Sequence, residues 1–137
     1  MSRMISLFLL VLMANMASCQ NTKKTAPGGA AVITATVSAD EFQKKLAAMP
    51  GAQLVDVRSP EEYKEGHIKG SLNINVQSDA FAAEVAKLDK KKPVMVYCRS
   101  GRRSAMAQGK LEEMGFTEVY NLDGGITDWQ SAGKPVE

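Results

Sequence analysis

The stretch VMVYCRSGRRSA, Val94 to Ala105, puts a thiol at the end of an apolar run and follows it with Arg99, Arg102 and Arg103 within five residues. A thiolate is the nucleophile, and neighbouring cations favour it over the thiol. Gly101 allows the chain a turn that other residues resist. The backbone amides of such a loop, running into a helix N-terminus, can converge on an anion. The residue types therefore point to covalent chemistry on Cys98 with a negatively charged partner. Cys98 is the candidate nucleophile, and Arg99, Ser100, Gly101, Arg102, Arg103 and Ser104 are the candidate binding residues.

This chemistry needs a scaffold, and the flanking sequence supplies one. VMVY is apolar throughout and reads as the central strand of a sheet. A helix is expected from Ala105 to Met114, closed by Gly115. Cys98 then sits at the C-terminal end of a strand, where open α/β sheets bind their ligands. Upstream, Val32 to Thr36 reads as an edge strand, and Ser38 opens a helix with Phe42, Leu46 and Met49 at helical spacing. QLVDVR from Gln53 is a second buried strand, followed by a short helix announced by Ser59, Pro60 and Glu62. Leu72 to Val76 is expected as a strand, and Ser78 as the start of a helix presenting Phe81, Val85 and Leu88. EVYNL is the last strand, and Gly124-Gly125 leads into a segment ending at Trp129, which is expected in the core. Strands alternating with helices give an α/β fold with a mostly parallel central sheet flanked by helices on both faces.

The 137 residues make room for one such domain, and 45% hydrophobic with 23% charged residues is a globular composition. A net charge of +2, with the basic residues dispersed, gives no footprint for nucleic acid. Lys90, Lys91 and Lys92 before Pro93 read as a solvated turn. A metal site would need more ligands than one histidine and one cysteine, His67 and Cys98, supply. His67, the sole histidine, is expected to fix local structure by hydrogen bonds.

The N-terminus reads as an address. Arg3, an apolar run from Ile5 to about Met13 and small residues before Cys19 have the layout of a secretory signal peptide. Met16-Ala17-Ser18-Cys19 resembles a bacterial lipobox, with Met16 in place of the usual leucine. That resemblance implies a leader over residues 1–18, acylation of Cys19, and a polar, Gly-containing tether over residues 19–31. The domain over residues 32–137 would then face the periplasm from a lipid anchor in the cell envelope, with Gln20 pointing to the outer membrane. Lipidation takes Cys19 out of thiol chemistry and leaves Cys98 to work alone.

CRSGRRS, Cys98 to Ser104, is similar to the active-site loop of rhodanese-type sulfurtransferases. LVDVRSPEEYKEGHIKGSLNI, Leu54 to Ile74, resembles the family's N-terminal motif through Asp56, Arg58, Glu62, Gly66, His67, Gly70 and Asn73. NLDGGITDWQSAGKPV, Asn121 to Val136, matches its C-terminal Gly-Gly, Trp and Gly-x-Pro pattern. The resemblance implies a single-domain, cofactor-free, monomeric enzyme that carries sulfur as a Cys98 persulfide. A small anionic donor such as thiosulfate would load it, and a thiol or cyanide would unload it. Arg99 and Arg103 would favour the donor, Ser104 would hydrogen-bond the sulfur, Asp56 would orient the loop, and Arg58 would pair with Glu62. Two rivals stand beside it. A cysteine-dependent phosphatase needs Cys, five residues, then Arg, but that position is Ser104 and Arg103 falls one residue early. A noncatalytic binding module on the same fold would not need Cys98 at all.

Overall fold

The computed structural model describes residues 23–25 and 31–137. The expected leader, the lipobox and Cys19 lie outside the described residues. Strand β1 (Lys23–Thr25) pairs antiparallel with β2 (Ala31–Val37). There follow α1 (Ala39–Ala48), β3 (Gln53–Asp56), α2 (Pro60–Glu65), β4 (Leu72–Asn73), α3 (Phe81–Val85), β5 (Val94–Tyr97), α4 (Arg102–Glu113), β6 (Glu118–Leu122) and α5 (Gly125–Ser131). The sheet order is β1-β2-β6-β5-β3-β4, and the five strands from β2 to β4 run parallel.

All four residues of β5 are buried, as a strand at the centre of a doubly covered sheet requires. Side-chain alternation sorts them between two cores. Val94, Val96 and Cys98 join Val55, Val119, Phe81, Val85, Ala107 and Leu111 on the α3–α4 face. Met95 and Tyr97 join Leu54, Phe42, Leu122, Ile126 and Trp129 on the α1–α5 face. Each fully buried aliphatic or aromatic side chain contributes about 1.5–3 kcal/mol relative to exposure. The two cores thus hold β5 rigid up to the residue that bears the thiol.

Local signals set several boundaries. Ser38 caps α1 by accepting from Glu41 N at 3.3 Å, and Ser59 with Glu62 forms a reciprocal capping box on α2. Other expectations are corrected. The strand beginning near Val32 is interior, because Lys23–Thr25 covers its outer edge; four residues of the expected tether, these three and Ala31, are therefore sheet. Only Leu72–Asn73 of the Leu72–Val76 strand is regular, though Ile74 N and Val76 N still donate to Asp56 O and Val57 O. Ser78 makes a turn instead of a helix start, since its hydroxyl and carbonyl are taken by Ala80 N and Phe81 N. Helix α4 starts at Arg102, three residues earlier than expected, because Gly101 turns the chain at φ +94° and lets it begin at once.

Candidate active site

Cys98 follows the last residue of β5, and its side chain is almost wholly buried. From there the chain crosses only Arg99, Ser100 and Gly101 before α4 begins. In so tight a crossing the amides face inward if the carbonyls are held outward, and β6 and α5 hold them. Ile126 N donates to Cys98 O at 2.9 Å, and Thr127 N donates to Arg99 O at 3.2 Å. Asn121 Nδ2 donates to Gly101 O at 3.2 Å. The N-terminal turn of α5 thus grips the back of the loop by two of its carbonyls. Gly125 makes this approach possible: a Cβ there would lie 2.5 Å from Arg99 C, Arg99 O and Cys98 O.

With the carbonyls held behind, the donors in front surround the sulfur. Gly101 N donates to Cys98 Sγ at 3.1 Å, and Ser104 Oγ donates to it at 3.4 Å. Burial pushes the Cys98 thiol up. The Ser104 hydroxyl and the amides of Ser104, Ser100 and Gly101 together outweigh it, and the thiol lies below its ordinary value. The thiolate is therefore favoured chiefly by hydrogen-bond donors. The arginine charge that the sequence displays is a lesser contribution.

The arginines are placed differently from what their spacing indicates. Arg103, on the first turn of α4, makes a two-pronged ion pair with Glu62 of α2, Nη1 and Nη2 each 2.8 Å from a carboxylate oxygen. Glu62 also accepts from Ser59 N and sits 3.6 Å from Arg99 Nε. The Arg103 guanidinium, against the smaller cost of burial, holds the Glu62 carboxyl down at about 2. Arg103 is thereby largely neutralised, whereas Arg99 and Arg102 are exposed at the rim. Arg58 does not pair with Glu62. It turns back to Asp56, with Nη2 at 2.6 Å and Nε at 3.0 Å, and its Nη2 also donates to Gly66 O at 2.6 Å. Both members of that pair are buried, so it ties the end of β3 to the turn after α2. Asp56 is occupied by this pair and makes no hydrogen bond to the Cys98 loop. Next to the loop, Arg58, Glu62, Glu65, Arg99, Thr127 and Gln130 line a groove of about 200 Å³.

His67 is structural, as its Gly-flanked position indicates. Its Nδ1 lies 3.0 Å from Tyr63 O, its ring stacks on Tyr63, and its backbone exchanges hydrogen bonds with Glu137. Trp129 is buried and donates to Pro135 O. Two features of the site lie outside the sequence reading: the Asn121 amide and the amides of Ile126 and Thr127. The adjacent Gly124-Gly125 pair was the available signal for the latter, since paired glycines mark a close backbone approach.

A family model described as "Rhodanese-like domain" matches residues 38–132. The Bacillus subtilis protein named "Uncharacterized protein YqhL" is 39% identical over 97 residues, covering 71% of this chain and 73% of that one. "Thiosulfate sulfurtransferase GlpE" of Pseudomonas aeruginosa is 42% identical over 81 residues, covering 59% of this chain and 72% of that one. The crystal structure of a rhodanese-related protein from Thermoplasma volcanium aligns with a TM-score of 0.65 at 29% identity, covering 74% of this chain and 96% of that one.

Proposed function

The chain belongs to the family of rhodanese-like domains, and from that premise we propose that it is a sulfurtransferase working through a persulfide on Cys98. The observation that carries the reading is the Cys98 sulfur at the focus of Gly101 N and Ser104 Oγ. Loading begins when the Cys98 thiolate attacks the outer sulfur of thiosulfate. A bond forms between the two sulfurs, the donor's sulfur–sulfur bond breaks, and sulfite leaves with its electron pair. The negative charge then resides on the outer sulfur of the persulfide, where the loop amides can stabilise it. Unloading is the reverse kind of step. Cyanide or a thiolate attacks the outer sulfur, and the Cys98 thiolate departs with the electron pair. Two half-reactions through one covalent intermediate give ping-pong kinetics.

The rim arginines Arg99 and Arg102 draw the anionic donor in, and the amides hold it. Arg103 serves to brace α4 against α2, through Glu62. This arrangement also disfavours the phosphatase reading, which needs an arginine over the loop. A docking module has no use for a cysteine whose sulfur is met by two hydrogen-bond donors. Cys98 is the free cysteine of the described residues, and with Cys19 acylated, as proposed below, the acceptor would be another molecule.

A thiosulfate:cyanide assay on the wild type and Cys98→Ser tests the proposal. Thiocyanate formation and a gain of one sulfur atom by the intact protein are expected in the wild type, and neither in the variant. Thiocyanate production that survives the substitution contradicts the mechanism; phosphate release from aryl phosphates that depends on Cys98 favours the phosphatase. We also propose that Cys19 anchors the domain by acylation on the periplasmic side of an envelope membrane, which the lipobox-like sequence supports. Cys19→Ala is expected to convert a membrane-bound product into a soluble one. A wild-type product already soluble contradicts the anchor.

A further inference from the structure

Asn121 is polar and 2% exposed in the middle of the otherwise apolar core of β6. It projects on the same face as Val119, two residues earlier, and so lies under α4 beside the core that contains Cys98. Its Nδ2 donates to Gly101 O at 3.2 Å. Its Oδ1 has no hydrogen-bond partner among the described residues. Turning the amide over would set an oxygen against the Gly101 carbonyl, so the bonding pattern determines the orientation.

A buried acceptor with no donor destabilises a fold, and a leucine of similar shape would avoid that penalty. What Asn121 contributes is its single bond, and that bond ends on the residue nearest the sulfur. Gly101 has no side chain and sits at φ +94°, where its backbone is otherwise the freest in the loop. It is held at two ends. Its N–H points at Cys98 Sγ, and its carbonyl is taken by Asn121 Nδ2 and Ala105 N. The second hold sets the peptide plane from which α4 departs.

We propose that Asn121 is a positioning residue for Cys98: by anchoring the Gly101 carbonyl, it keeps the Gly101 N–H aimed at the thiolate and at the sulfur it carries. Only the kinetic consequence rests on the sulfurtransferase reading; the reactivity of the thiol can be measured without it.

The test is Asn121→Leu, which removes both the donor and the orphaned oxygen at nearly constant shape. Cys98 alkylation by iodoacetamide is followed against pH on the folded protein, with urea unfolding and thiosulfate:cyanide turnover measured alongside. The charged groups about the thiol are unchanged: Arg103 of α4, Glu62 of α2 paired with it, and Asp56 at the end of β3. The variant is expected to resist urea at least as well as the wild type. Its alkylation midpoint should rise by about one pH unit, and kcat/KM should fall about tenfold at pH well below the wild-type midpoint, as the loss of part of a hydrogen bond to a charged group predicts. A structural role alone would change the urea midpoint and leave the alkylation profile in place, and that result overturns the proposal. Should the leucine variant fail to fold, Asn121→Ser, whose hydroxyl is too short to reach Gly101, is read the same way. A shifted alkylation profile in a protein whose wild type makes no thiocyanate supports the positioning role and rejects the sulfurtransferase.

Discussion

Replacing Gly125 by alanine separates what the back of the loop contributes from what its charges contribute. The new Cβ would lie 2.5 Å from three backbone atoms of Cys98 and Arg99, and backbone cannot swing aside as a side chain does. Alanine at φ +61° also carries a left-handed penalty of about 1–2 kcal/mol. Moving α5 away breaks the bonds from Ile126 N and Thr127 N to the two loop carbonyls, each worth about 1 kcal/mol. Together these cost about 3 kcal/mol or more, a large share of a typical domain stability of about 5–15 kcal/mol. Released carbonyls let the amides rotate off the sulfur. A hydrogen bond to a charged group is worth about 1.5–3 kcal/mol, so the Cys98 alkylation midpoint should rise by about one pH unit or more. Gly133→Ala is the control, because it meets a similar φ of +74° with no atom within 4 Å of the new Cβ. It should show the strain alone, about 1–2 kcal/mol in urea unfolding, with the alkylation profile of the wild type. The reasoning fails if the two variants unfold alike, or if Gly125→Ala keeps the wild-type alkylation midpoint.

Ser104→Ala removes the hydroxyl that donates to the sulfur at 3.4 Å; the alkylation midpoint should move up, with little change in urea, and a downward move would show the hydroxyl accepting from the thiol instead. Glu62→Gln tests the brace between α2 and α4. The Glu62 carboxyl is depressed to about 2 in the fold, so its contribution is complete above about pH 5 and is lost as the pH falls toward about 2. The pair is partly open to solvent, so the wild type should exceed the variant by only about 1 kcal/mol near neutrality. Urea midpoints taken down the acid limb should converge, and a gap that widens on acidification contradicts the pairing. Asp56→Asn strands the Arg58 guanidinium in a buried site, for which a loss of about 3–5 kcal/mol is expected; thermal unfolding close to that of the wild type would mean the pair is not load sharing in solution.

The parts of the fold that the sequence discloses are those whose cause is local. The strand VMVY is readable because every residue is buried, and α2 because Ser59, Pro60 and Glu62 write its cap within four positions. The placement of Cys98 between that strand and the next helix is readable for the same reason, its loop being continuous in the chain. The misreadings have non-local causes. Arg58 could reach either Glu62 four residues ahead or Asp56 two residues behind, and only the end of β3, folded against Gly66, selects Asp56. Glu62 finds its partner 41 residues away in Arg103, a pairing that no spacing announces. The interior position of β2 depends on a strand formed by a segment whose composition reads as tether.

Charge and direction differ in this respect, and the site shows why the difference matters. Three arginines around a cysteine are conspicuous in a sequence, and they invite the inference that charge lowers the thiol's pKa. In the fold, one of the three is neutralised by Glu62 and the other two stand exposed at the rim, where water and salt screen them beyond about 10 Å. The groups that act at contact distance are the Ser104 hydroxyl and peptide N–H bonds, and the latter every residue but proline possesses and no composition reveals. What distinguishes these amides is where they point, and that is decided from behind, by Asn121, Ile126 and Thr127 holding the carbonyls. These three come from the same C-terminal stretch, beginning more than twenty residues after the nucleophile. On the proposed mechanism an aimed loop of this kind would stabilise the thiolate and the persulfide alike, because both put negative charge on sulfur within reach of the same donors. On that mechanism the arginines would then be left to attract the donor without having to hold the intermediate.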